Sequence, residues 1–256
     1  MYIGDLNRYQ FYKGTRDRLL KEIYSSIRGK KKKFIITANP ETISNSIADS
    51  NFGNVLNFAS EMIADGIGII WAEKLLGRSA PLHYPGIELM QDIFENADEQ
   101  KVTIFLLGAK EDTLRHTKRK IEQRFPNVII VGYQHGYFED NRMVVRNIQK
   151  AQPDCVFVAL GSPLQEQWIY NNIDQFEHGI FMGVGGSFDV LSGEVQRAPR
   201  LMRDLHMEWA YRISKHPQKH KKIKSLITYC TTILSAKLTK TFKTTKIPEI
   251  HTRDTQ

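Results

Sequence analysis

The residue whose surroundings best suit acid–base chemistry is Asp65. It follows the apolar run Met62-Ile63-Ala64 and precedes Gly66 and Ile67. Apolar neighbours withdraw a carboxylate from water, and desolvation raises a carboxyl pKa toward the range in which it takes a proton from a hydroxyl. The same pattern suits an Asp that ends a helix and turns the chain, and the local sequence leaves both readings open. Five polar, glycine-bearing clusters each follow an apolar run: Thr37-Ala38-Asn39, Gly108-Ala109, Gly132 to Tyr137, Gly161 to Glu166, and Gly185 to Asp189. Glycine after a strand is ordinary turn chemistry. Five clusters in the same register with their strands describe a ligand-binding rim, because open α/β sheets bind ligands beyond the carboxyl ends of their strands.

Several familiar sites are missing. The segment Gly183-Val184-Gly185-Gly186-Ser187-Phe188 lacks the third glycine of a dinucleotide fingerprint. The sequence has no phosphate loop of the GxxxxGK[ST] type, no HExxH and no GxSxG elbow. It also has no Asp-x-Asp, the usual carboxylate pair of a sugar-nucleotide metal site, so a chelated divalent ion has no obvious home. No metal or cofactor is expected. A diphosphate bound here would depend on backbone amides, helix N-termini and basic side chains.

The elements that must carry these clusters alternate along the chain. Residues 15 to 28 show helical spacing, with Leu19, Leu20, Ile23 and Ile27 on one face. Lys30 to Lys33 read as a solvated turn. Phe34 to Thr37 reads as a buried strand, and Pro40-Glu41 opens the next helix. From Lys101 onward the pattern is regular. Strands are expected at 102–107, 128–131, 155–160 and 180–184, with helices near 112–124, 144–151 and 166–173. Short apolar runs alternating with helices imply an α/β fold built on a mainly parallel, Rossmann-like doubly wound sheet. Residues 1–212 form the expected catalytic domain, in two packed lobes of about 1–100 and 101–212, and residues 213–256 form a basic helical appendage.

Charge sets the appendage apart. The 256-residue chain carries a net +8, yet residues 209 to 248 hold ten Lys or Arg and no acid. The rest has 26 basic against 28 acidic residues. The main body is therefore no nucleic-acid binder, and the tail suits an anionic surface. In the tail, Ile223, Leu226, Ile227, Ile233, Leu234 and Leu238 can share a helical face beside lysines, the composition of an interfacial helix on anionic lipid. A helix packed on the protein's own core has the same pattern. Cys155 and Cys230 lack metal or redox spacing, which suits a reducing compartment. The N-terminus is not a secretory signal, and no apolar run approaches the ~20 residues of a membrane span. A cytoplasmic protein with peripheral membrane contact is expected.

In order, the clusters read Thr-Ala-Asn-Pro-Glu from Thr37, Ala-Asp-Gly-Ile-Gly from Ala64, Pro-Gly-Ile-Glu-Leu from Pro85, Phe-Leu-Leu-Gly from Phe105 and Gly-Tyr-Phe from Gly136. They continue with Gly-Ser-Pro-Leu-Gln-Glu from Gly161, Gly-Val-Gly-Gly-Ser-Phe-Asp from Gly183, Arg-Ala-Pro from Arg197 and Glu-Trp-Ala-Tyr-Arg from Glu208. This series, from about Phe34 to Arg212, resembles the WecG/TagA/CpsF glycosyltransferases. The resemblance implies a metal-independent, inverting enzyme. It would move N-acetylmannosamine or a similar sugar from a UDP-sugar to a polyprenyl-diphosphate-linked sugar, undecaprenyl-diphosphate N-acetylglucosamine, in teichoic acid, common antigen or capsule synthesis. By the same resemblance Asp65 deprotonates the acceptor hydroxyl. Thr37 and Asn39 line the same pocket, Gly108 lies on the rim, Gln165 and Glu166 reach the donor, and Tyr137 and Asp189 hold the uridine. Arg197 and Arg212 begin the part that closes over the site.

Two positions depart from the family pattern. His83 stands where the family usually has Arg, and Leu164 where it usually has Lys. Arg stays charged and pairs bidentately with phosphate, whereas His does so only when protonated. The departures keep a second reading in play, that of an inactive nucleotide-sugar-binding scaffold in polysaccharide assembly. The sequence does not fix oligomeric state, and a homo-oligomer stays open.

Overall fold

The computed structural model describes residues 9–98, 101–204, 207–209, 211 and 220–244. Helix α1 (Arg16–Arg28) starts because the Thr15 side chain accepts from the amide of Arg18, and it buries Leu19, Ile23 and Tyr24. Strand β1 (Lys32–Ala38) follows, then α2 (Pro40–Ala48), α3 (Ser50–Asn57), β2 (Glu61–Ala64), α4 (Ile67–Leu75) and α5 (Gly86–Glu95). The second half alternates regularly: β3 (Val102–Gly108), α6 (Glu111–Arg124), β4 (Val128–Gln134), α7 (Asn141–Ala151), β5 (Cys155–Ala159), α8 (Leu164–Asn172) and β6 (Gly179–Gly183). Short helices α9 (Ser187–Ser192) and α10 (Arg200–Asp204) follow, and α11 spans His220–Thr244.

The strands form one sheet in the order β2-β1-β6-β5-β3-β4, with every pairing parallel. β6 pairs with β1, so the two expected lobes share a continuous sheet. Alternation of side chains explains why the strands read as unbroken apolar runs. In β3, Phe105 and Leu107 enter the core under α2, α3, α7 and α8, while Ile104 and Leu106 enter the core under α1, α5 and α6. Both faces are covered, so every position must be apolar. Cys155 is fully buried between them and behaves as a small hydrophobe, and its thiol is pushed up by burial.

The structure adjusts several expectations. β1 begins at Lys32, so only the front of the lysine run is a turn. Lys30 pairs with Asp154 at 3.0 Å and Lys33 with Glu61 at 3.2 Å, so these cations anchor the start of the sheet. α8 starts two residues earlier than its spacing suggests. The expected single apolar face of α11 divides in two: Tyr229 and Ile233 are buried against the domain, whereas Ile227, Leu234 and Leu238 are exposed. Among the described residues no helix is long and apolar enough to cross a membrane.

Candidate active site

A parallel sheet puts all its carboxyl ends on one edge, and the clusters meet there. At the end of β2 the amide of Asp65 donates to Ala38 O at 2.8 Å, which continues the ladder one residue past the strand. The Asp65 side chain is half-buried, and its Oδ2 accepts from the amide of Gly86 at 3.4 Å, the first residue of α5. The segment before α5 runs beside the β2 exit: His83 bridges to Ala64, and Tyr84 N–H donates to Ala64 O at 2.9 Å. His83 is thereby carried to the Asp65 end of the sheet.

Thr37, one residue from the end of β1, donates its hydroxyl to Gly183 O on β6 at 3.3 Å. Gly86 lies so close to Thr37 that a Cβ on it would sit 2.7 Å from Thr37 Oγ1. Glycine is therefore required where α5 meets the strand ends. Asn39 faces the start of α2: its Oδ1 accepts from Thr42 N at 3.0 Å, and Thr42 Oγ1 accepts from Asn39 N, a capping box that fixes the chain direction just past Thr37.

In the first turn of α8, which follows β5, Gln165 and Glu166 are buried rather than directed outward. Gln165 Nε2 donates to Glu166 Oε1 at 2.7 Å, and Gln165 Oε1 accepts from Gly185 N at 2.9 Å. The carboxamide oxygen thus braces the turn after β6, where Gly185 has φ +50°, while its nitrogen is held by Glu166. Glu166 is 2% exposed, and among the described residues neither its Oε2 nor the buried Ser162 Oγ has a hydrogen-bond partner. Burial pushes the Glu166 carboxyl up, opposed by Gln165 and more weakly by the nearby Ser162. Leu164, at the start of the same helix, is exposed and presents no charge to the rim.

Gly108 has φ +123°, and a Cβ there would lie 2.4 Å from Ala159 O, so β3 and β5 approach too closely for any other residue. Gly136 N–H donates to Ala109 O at 2.9 Å, folding the loop that carries Tyr137 back over the ends of these strands; the Tyr137 ring is exposed. Asp189 lies half-buried in the first turn of α9.

Arg197 ties the C-terminal side to α5. It bonds to Glu88 at 2.6 Å and pairs with Glu208 at 3.7 Å. Arg16 also bonds to Glu88, at 3.0 Å, and its guanidinium stacks over the Tyr84 ring at 4.2 Å. Burial raises the Glu88 carboxyl, but the two guanidiniums outweigh it and hold the group below its ordinary range. Trp209 is exposed, and Arg212 lies outside the described residues. Sequence reasoning missed Arg16, Gly86 and Glu88. The last two sit inside the Pro-Gly-Ile-Glu-Leu motif, which carried the signal; Arg16 stands 72 residues from its partner Glu88 with nothing local to mark it.

The helix starts around this rim are of two kinds. α4, α5, α6, α8 and α9 have no side-chain bond from their N-cap residue, whereas α2 and α7, which also follow strand ends, are capped by Asn39 and Asp140. Uncapped N-termini present amide donors and the positive end of the helix dipole, a setting that favours an anion. Among the described residues there is no group of three or more His, Cys, Asp or Glu able to hold a metal ion. The arrangement thus offers a carboxylate for proton transfer beside several amide clusters suited to phosphate.

Comparison with known proteins gives a consistent picture. The model of the WecG/TagA/CpsF glycosyl transferase family matches residues 5–243. An N-acetylglucosaminyldiphosphoundecaprenol N-acetyl-beta-D-mannosaminyltransferase of Bacillus subtilis (strain 168) is 36% identical over 219 residues, 86% of each chain. Proteins of the same name from Bacillus spizizenii (78% of each chain) and Staphylococcus aureus strain MW2 (80% of each chain) are also 36% identical.

Proposed function

This chain belongs to the WecG/TagA/CpsF family and is a glycosyltransferase, and from that premise we propose that it transfers an N-acetylmannosamine-like sugar from a UDP-sugar to undecaprenyl-diphosphate-linked N-acetylglucosamine. The observation that carries this reading is the half-buried Asp65 carboxylate at the β2 exit, which accepts from the first amide of α5. In this reading Asp65 takes the proton of the acceptor hydroxyl as that oxygen bonds to the anomeric carbon. The bond from that carbon to the UDP phosphate breaks on the opposite face, and UDP leaves with the electron pair. Configuration inverts. The relatives' names specify a β-linked product, which an α-linked donor gives by inversion.

The charge that develops on the departing diphosphate is met by oriented amides at helix starts, a preorganised form of stabilisation that works without a metal. Thr37 and Asn39 shape the acceptor side, and His83, when protonated, adds a cation near the diphosphate. Gln165 and Glu166 act by holding the Gly183–Gly185 turn, with Gly108 allowing the strands to close and Tyr137 and Asp189 flanking the nucleotide. Arg197 joins the segment after α9 to α5 through Glu88. The product serves a cell-surface polymer such as teichoic acid or capsule, and the enzyme works at the cytoplasmic face of the membrane, attached peripherally through the basic helix α11.

The test is a panel of UDP-sugars with a water-soluble short-chain diphospholipid acceptor, assayed in excess EDTA. Transfer from one donor with a β-linked product is expected, at a rate that Mg²⁺ or Mn²⁺ does not raise. UDP binding without transfer from any donor would favour the scaffold reading, for which the His83 and Leu164 departures are the motive. Metal-dependent transfer would overturn the diphosphate account.

A further inference from the structure

Helix α11 has two apolar stripes. Tyr229 and Ile233 are buried, with Ala236 beside them, and the Tyr229 hydroxyl donates to Gly68 O at 3.5 Å. This stripe docks the helix on α2 and on the first turn of α4. Ile227, Leu234 and Leu238, spaced seven and four residues apart, lie on the opposite side and are exposed. α11 is therefore fixed to the domain with a second apolar side facing outward. Beside it, α4 exposes Trp71 at 64% and Leu75 at 41%, one turn apart, with exposed Lys74 between them. A core helix buries such residues, and a large exposed apolar patch marks an interaction surface.

We propose that Trp71 and Leu75 of α4, with Ile227, Leu234 and Leu238 of α11, form one surface that seats the catalytic domain in the interface of an anionic bilayer. The inference rests on the lipid-acceptor reading above and extends it from the tail to the domain. Charge identifies the occupant. Residues 220–244 contain six lysines and no acid, so the surface complements an anionic membrane and opposes a second copy of itself. Trp is at home at the headgroup level, where its ring is buried and its N–H stays wet. The placement also has a catalytic consequence. α4 starts two residues after Asp65, and Trp71 lies four residues into the helix, about 6 Å of helical rise. A bilayer touching Trp71 thus brings headgroup-level diphosphates to the depth of the proposed base.

The experiment compares the full chain with Trp71→Ser/Leu75→Ser and with Ile227→Ser/Leu234→Ser. Partition onto phosphatidylglycerol–phosphatidylcholine vesicles is measured by sedimentation, and transfer with both short-chain and long-chain acceptors. All four positions are exposed, so melting temperatures near that of the parent are expected. The α4 pair should lower partition about tenfold, the order expected for withdrawing two interfacial apolar side chains. It should reduce turnover of vesicle-borne long-chain acceptor and leave the water-soluble acceptor unchanged. If the α11 pair releases the protein while the α4 pair binds like the parent, the tail attaches alone and this inference fails with the tail reading intact. If the parent itself does not partition, both fail.

Discussion

The carboxylate of Asp65 and the backbone amide of Gly86 lie 3.4 Å apart, joining the end of β2 to the start of α5. The contact depends on Gly86 having no side chain, since a Cβ would sit 2.7 Å from Thr37 Oγ1 and 3.3 Å from Thr37 Cβ. Three groups from three elements thus meet at one glycine. Gly86→Ala should push α5 away from the strand ends, costing about 1–3 kcal/mol in stability as overpacking does. Because a misplacement of about 1 Å can cost up to ~10²-fold in rate, kcat should fall by 10–100-fold. A variant that loses melting temperature but keeps full kcat would mean that α5 does not position Asp65.

In the proposed function, His83 would give donor binding a pH dependence that an Arg would not. It stands beside the β2 exit, bridged to Ala64. If it meets the donor diphosphate only as the imidazolium, donor KM should rise as pH goes from about 6 to 8, with kcat changing less. His83→Arg should flatten that rise. A donor KM indifferent to both pH and this substitution assigns His83 a purely structural part.

Glu166 supplies the clearest stability test. Burial raises its folded carboxyl above the ordinary carboxylate range, so the protonated form is favoured by the fold. Its contribution is fully present below the unfolded value, about 4.3, and is lost as pH rises through the raised folded value. Glu166→Gln keeps the acceptor for Gln165 and removes the ionisation. Its melting temperature should therefore gain on the parent as pH rises from 5 to 8. Glu166→Ala instead leaves Gln165 Nε2 without its partner, at a cost of about 1–3 kcal/mol, and should loosen the Gly185 turn. Melting curves of the three proteins across that range decide the matter. A Gln variant that melts below the parent at every pH would mean that the carboxylate is the form the fold needs.

Much of the fold was legible because its strands are buried on both faces and therefore read as plain apolar runs. Cys155 to Leu160 is such a run, and β5 occupies all but its last residue. Period and punctuation also marked the strand ends, since Gly108 and Gly183 close β3 and β6 while Thr37 and Asp65 fall within one residue of the ends of β1 and β2. Other features stayed hidden because they depend on contacts distant in sequence. α5 carries its meaning in Gly86 and Glu88, whose partners Thr37, Arg16 and Arg197 come from other segments. Gln165 carries polar atoms that suit a ligand, and only the fold reveals that Gly185 and Glu166 already occupy them. The split of α11 into two stripes was equally invisible. A helical pattern shows which residues are apolar, while the docking of Tyr229 on α4 decides which side is free.

Asp65 is the proposed base of a UDP-sugar transfer. This role is tested most directly by the single-substrate-saturated kcat of Asp65→Asn, which keeps the shape and hydrogen-bonding reach of the side chain while removing its capacity to accept a proton. Loss of a positioned general base costs about 10²–10⁴ in rate. A fall of that size is expected, with donor KM and melting temperature close to those of the parent. A variant that transfers sugar at near-parental kcat would contradict this role and move the base elsewhere on the rim.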